Sequence, residues 1–154
     1  MELKEAISTF ESVVQKHLQL KSEQIRCENE GEYIIKRGDT TEMYVDIWQP
    51  ETASQWQYFD RENPAGIFQI VSPVCHYPVD EHIAMFMEEL AHINFHLFGA
   101  RFIANAEQRI VSIQFKRVTH GLNETEVIEP IEAVGYYAEN LKEYLAEKYH
   151  VEKI

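Results

Sequence analysis

The chain has 154 residues, 45% of them hydrophobic, about one domain's length and enough to bury a core of its own. Its 26 acidic residues outnumber the 14 basic ones, for a formal charge of −12. Nucleic acid and anionic membrane are repelled before any specific contact forms, so neither is expected as a partner.

The acids are spread over three predicted helices and several loops, as on a solvated surface. Cys27 and Cys75 supply no disulfide framework of a small secreted domain. The start, Met1-Glu2-Leu3-Lys4-Glu5, lacks the basic residues and apolar run of a signal peptide. Nothing approaches the ~20 apolar residues that cross a bilayer. The cytoplasm is the expected compartment, and one domain over 1–154 the expected organisation, since no repeat, linker or low-complexity tract interrupts the chain.

Leu3, Ala6, Ile7, Phe10, Val13, Val14 and Leu18 recur at three- and four-residue steps and predict a helix over about residues 2 to 20, with His17 at the edge of its apolar stripe. From Gln24 the period becomes two. Ile25 and Cys27 predict a short strand, Asn29-Glu30-Gly31 a turn, and Tyr33 to Ile35 a second strand. After the turn Arg37-Gly38-Asp39, Met43, Val45 and Ile47 alternate with Tyr44, Asp46 and Trp48 as a third strand. Residues 50–66 read as a loop, and Ile67 to Val71 as a fourth strand.

Pro78 and Asp80 open the next helix, with Asp80 expected in its first turn, and Gly99 closes it. Its predicted buried stripe is Ile83, Phe86, Met87, Leu90, Ile93 and Leu97. Arg101 to Ala104 and Ile110 to Val118 form a strand pair whose alternation leaves one sheet face wet. Asn123 is placed to cap a last helix carrying Val127, Ile131, Val134, Ala138, Leu141 and Leu145 on one stripe, with Pro130 bending it or delaying its start. The order α-β-β-β-β-α-β-β-α predicts an α+β fold, an antiparallel sheet with helices packed on one face.

No catalytic set emerges. Cys75 adjoins His76 at a strand end, where neighbouring side chains point to opposite faces. The glycines are scattered singly, so no phosphate loop exists, and no cofactor is expected. Glu88, Glu89, His92 and His96 make the best metal candidate, because one helical turn separates the two histidines and Glu89 precedes His92 by three. That arrangement needs a matching motif on a facing helix, and none is present. Helical counting puts both histidines on the polar side, opposite Leu90 and Leu97.

The element order and local sequences resemble the YbjN family of bacterial proteins, labelled sensory transduction regulators, whose fold is like that of type III secretion chaperones. The resemblance rests on Ile67 to Pro78, with an apolar strand ending in Ser72-Pro73, and on the helix 79–98 with Leu90, Asn94 and Phe98. It continues through the hairpin Gly99 to Phe115 and Gly121-Leu122 before the final helix, covering residues 3–145. The loop 50–65 is longer than the family pattern. What the resemblance implies is a homodimer without enzyme activity that holds another polypeptide in extended or partly folded form.

Tyr44, Trp48, Trp56, Tyr58 and Phe59 are the candidate protein-binding residues. Tyr44 and Trp48 share a strand face and the others lie in the adjoining loop. Either the group presents an apolar patch to a peptide or second subunit, or the loop folds back over the sheet with it. The competing expectation is a metal-binding protein or enzyme that uses Glu89, His92 and His96.

Overall fold

The computed structural model describes residues 2–50 and 66–154. Its elements run α1 (Leu3–Leu18), α2 (Ser22–Ile25), β1 (Glu32–Arg37), β2 (Thr41–Trp48), β3 (Ile67–His76), α3 (Ile83–His96), β4 (Arg101–Asn105), β5 (Ile110–Val118) and α4 (Glu124–Tyr149). The strands form one antiparallel sheet in the order β1-β2-β3-β5-β4. The fold is α+β with helices against the sheet, as expected.

Strand alternation sorts the side chains into two faces. Tyr33, Ile35, Met43, Val45, Ile47, Phe68, Ile70, Val111 and Ile113 are buried on the inner face. Against them α1 sets Ala6, Phe10 and Val14, and α4 sets Val127, Ile131, Val134, Ala138 and Leu145. Phe10 joins the layers, with ring centroids 4.7 Å from Tyr33 and 6.0 Å from Phe68. Each large side chain buried this way contributes about 1.5–3 kcal/mol, which is why the 3.6-residue stripes predict these two helices well.

Two glycines allow close approach. Gly31 has φ +84°, and a Cβ there would lie 2.3 Å from the Ile47 carbonyl oxygen, so the turn into β1 tolerates no side chain. Gly135 lets α4 lie on β1 and β2, where a Cβ would meet Arg37 Cδ at 2.8 Å and Met43 Sδ at 3.2 Å.

Several boundaries differ from the sequence expectation. The strand expected around Ile25 and Cys27 is the helical turn α2 followed by one antiparallel bridge, Arg26 to Tyr33. Gln24 selects the turn by accepting the Lys21 N–H at 3.0 Å. β3 runs on to His76. Pro73 supplies no N–H there, the register with β5 shifts between Pro73 and Cys75, and residues 152–154 take up the pairing beside Val74 and His76. α3 starts at Ile83 rather than at Asp80, whose side chain accepts the His82 N–H at 2.9 Å in a turn ahead of the helix. Asn123 caps α4 as expected, accepting from Glu126 N–H at 3.1 Å, and α4 runs through Pro130 without a delayed start. His17 is exposed and contacts the Glu124 carboxylate. Among the described residues, no helix is long and apolar enough to cross a membrane.

Candidate protein-binding surfaces

The outer sheet face carries Tyr44 and Trp48, both from β2 and separated by Asp46. Tyr44 is 39% exposed and donates its hydroxyl to the Glu42 carboxylate at 3.0 Å. That hydrogen bond, more than burial, holds its phenol above the usual range. Trp48 is half-buried, with Lys116 Nζ 5.5 Å from its ring centroid. Trp56, Tyr58 and Phe59 lie outside the described residues.

Between the two aromatics the face is polar. Gln69 donates to Asp46 at 3.5 Å, Gln114 to Gln69 at 2.9 Å and Arg101 to Gln114 at 3.3 Å, a chain of side chains crossing from β2 to β4. This is the wet face that the alternation predicts. Each aromatic borders an acid-lined groove. Tyr44 shares one of about 290 Å³ with Asp39, Glu42, Pro73 and Ile154, and Trp48 one of about 270 Å³ with Glu30, Glu32 and Asp46. Burial raises the Asp46 carboxyl, opposed by the hydrogen bond from Gln69. Among these acids Glu42 pairs with Lys36 at 3.9 Å, and an apolar ring beside such acids suits a segment that carries apolar and basic residues.

A second surface escaped the sequence reading. Of the predicted buried stripe of α3, only Phe86 and Leu90 are buried, whereas Ile83 is 38% exposed and Met87, Ile93 and Leu97 are half-buried. On the other side Met85 is 53% exposed and Phe95 85%, and Phe98, just past the helix, is 83% exposed. Large apolar side chains this open form an exposed patch rather than part of the core. The available signal was that apolar residues surround α3 instead of keeping to one stripe.

α3 is fastened at three points. Phe86 meets the Tyr149 ring edge-on with centroids 4.9 Å apart. The Glu89 carboxylate accepts hydrogen bonds from the Tyr144 and Tyr149 hydroxyls and, at 3.1 Å, from Lys148 Nζ. Burial pushes Glu89 up, but these donors outweigh it and leave the carboxyl below its usual range. Burial and the bond to Glu89 push Tyr149 up to about 12. Asn94 holds the β4 edge.

This geometry dissolves the expected metal candidate. Glu89 turns toward α4, while His92 and His96 are exposed with ring centroids 5.1 Å apart. Among the described residues, the group that brings three ligand atoms within 4.8 Å of one another is Asp80, Glu81 and His82, all exposed. Cys75 is buried, and burial pushes its thiol up to about 11, so it is a core residue rather than a nucleophile.

One more groove, about 320 Å³, lies between the end of α3 and α4. Phe98, Phe115, Pro130, Ala133 and Tyr137 make its apolar lining and Glu126 and Glu129 its acidic part.

No family model matches the chain, and no curated protein sequence matches it. Solved structures do. A chain of the ExsC-ExsE complex aligns with TM-score 0.63 at 14% identity, covering 94% of this chain and 97% of that one. A chain of the HopA1-SchA chaperone-effector complex aligns with TM-score 0.61 at 6% identity, over 93% and 98%. A chain of the heterodimeric ExoU-SpcU complex from the type III secretion system of Pseudomonas aeruginosa gives 0.55 at 8%, over 86% and 94%. The likeness is one of fold, and it extends over nearly the whole length of each chain. The protein has the α+β fold of one chain in each of these three complexes.

Proposed function

We propose that this chain is a protein-binding or regulatory module of the secretion-chaperone type, a single domain over 1–154 that acts as a cytoplasmic homodimer and engages another polypeptide. On this reading it is not an enzyme, and it is one of the YbjN-like proteins that its element order and local sequences resemble. The observation that carries the proposal is the open apolar side of α3 on a fold shared with complexes of two different polypeptides. That side of α3 is the surface assigned to the second copy. The acid-lined grooves beside Tyr44 and Trp48, together with Trp56, Tyr58 and Phe59, which follow β2 in the sequence, are the surface assigned to the other polypeptide.

Light scattering coupled to size exclusion tests the first half, with a species of twice the 18.1 kDa chain mass expected. Affinity purification from the native cell tests the second. A stoichiometric polypeptide should co-purify and be released by salt, since acidic grooves bind through charge. A monomer at millimolar concentration removes the homodimer, and a bound polypeptide retained unchanged by the Y44A/W48A variant removes the assigned grooves.

A further inference from the structure

β3 outruns β2. Their ladder stops at Tyr44 and Val71, the next contact is the Ser72 hydroxyl donating to the Glu42 carbonyl at 2.8 Å, and Pro73 has no N–H to give. Cys75 and His76 still pair with Val111 and Ile110 on β5, but on their other side β2 has gone. Residues 152–154 fill that side. The His76 N–H donates to the Glu152 carbonyl at 2.9 Å and the Ile154 N–H to the Val74 carbonyl at 3.1 Å, which sets Cys75 and Lys153 opposite each other as an antiparallel pair. Left bare, this stretch of β3 would offer backbone donors and acceptors to any extended chain.

The segment that covers it is held lightly. Glu152, Lys153 and Ile154 are all exposed, Ile154 at 41%, and Lys153 Nζ reaches Glu143 at 2.7 Å in an ion pair that is itself exposed. Such a segment opens locally long before the sheet does. Ile154 lies at the rim of the groove of about 290 Å³ that Tyr44, Pro73, Asp39 and Glu42 also line. Residues 152–154 run in the direction of β2, since both are antiparallel to β3. A strand laid on the same hydrogen bonds and continued past the position of Ile154 therefore reaches that groove, where it meets an apolar ring, a proline and carboxylates.

Resting on the protein-binding reading above, we infer that residues 152–154 are a removable strap. An extended segment of the other polypeptide replaces them as a strand on Val74 to His76, with a basic residue at Glu143 and basic and apolar residues in the groove beside Tyr44. Lys153 on Glu143 and Ile154 at the groove rim are the chain's own version of that ligand. Backbone pairing holds any extended segment, and the acids select among segments by charge. Binding releases residues 152–154, because one row of backbone groups pairs with one strand.

A reversible lock tests the strap. The hydrogen bonds flank the Cys75 and Lys153 pair, the arrangement that brings opposed side chains closest, so K153C in a C27S background should form a disulfide with the native Cys75 on oxidation. The probe is a fluorescein-labelled synthetic peptide, HVEKIKVK, which is residues 150–154 followed by Lys-Val-Lys; its control, HVEKIEVE, carries Glu-Val-Glu instead. The reduced K153C chain is expected to bind the first peptide at least about tenfold tighter than the oxidised chain does, and about tenfold tighter than it binds the control. Far-UV circular dichroism verifies that both forms are folded. Equal binding by the locked and unlocked chains removes the strap, and equal binding of the two peptides removes the selection by acids. A K153C chain that forms no link to Cys75, or one that links between chains because residues 152–154 are exchanged between copies, overturns the inference. If the polypeptide that co-purifies from the native cell is retained by the oxidised chain as well as by the reduced one, the protein-binding reading stands and this edge is not its seat.

Discussion

Asn94 on α3 is joined to Phe102 on β4 by two hydrogen bonds. The Phe102 N–H donates to Asn94 Oδ1 at 2.6 Å, and Asn94 Nδ2 donates to the Phe102 carbonyl at 3.3 Å. β4 is an edge strand, so one side chain closes both backbone groups that would otherwise invite another strand. N94A leaves them unpaired at a partly buried site, and the chain should lose about 2 kcal/mol in chemical denaturation. Hydrogen exchange at Phe102 should rise with it. Unchanged exchange there would show that the asparagine is dispensable.

Glu89 makes the attachment of α3 sensitive to acid. Burial raises its carboxyl, but the hydrogen bonds from Tyr144, Tyr149 and Lys148 bring it below the ordinary value. A carboxylate depressed by folding stabilises the native state above its unfolded pKa, and that contribution is lost as the pH falls through the folded one. Exchange across α3 should therefore accelerate below about pH 4, ahead of α4, and the E89Q chain should lack this step. Identical pH profiles in the two chains would remove Glu89 from the attachment.

Thr41 opens β2 with its side chain 1% exposed, and its hydroxyl has no hydrogen-bond partner. T41V keeps the shape, removes the stranded hydroxyl and suits a strand. Stability should rise by about 1 kcal/mol, read as a higher denaturation midpoint at unchanged slope. A fall in midpoint would mean that the hydroxyl is satisfied in solution.

Gly31 should accept no replacement. G31A combines a positive φ with a Cβ 2.3 Å from the Ile47 carbonyl oxygen, which itself belongs to the sheet. Left-handed strain alone costs about 1–2 kcal/mol, and displacing β2 adds to it, so the midpoint should fall by at least that amount. A G31A chain as stable as the parent would place the turn in another conformation.

The amino-acid order by itself determined most of the architecture, because burial leaves a periodic trace wherever one face of an element is dry and the other wet. Ala6, Phe10 and Val14 on α1, Val127, Val134 and Ala138 on α4, and Met43, Val45 and Ile47 on β2 all fall where that trace places them. The α+β class and the cap at Asn123 follow from the same local physics. Short or interrupted segments left no such trace. Ile25 and Cys27 fit a strand as well as a turn until Gln24 closes on Lys21, and past Pro73 β3 pairs with Val111 and Ile110 on β5 and with residues 152–154, all distant in sequence.

The candidate surfaces divide the same way. Tyr44 and Trp48 on a common strand face were legible from a period of two, but the acids gathered around them come from β1, β2 and the turns before and between them. On α3 the sequence showed apolar residues without showing which ones the chain itself covers. Only the tertiary structure decided that, by spending the Phe86 and Leu90 side on its own core and leaving Met85 and Phe95 open. Hydrophobicity belongs to a residue, whereas exposure is set by every element packed around it.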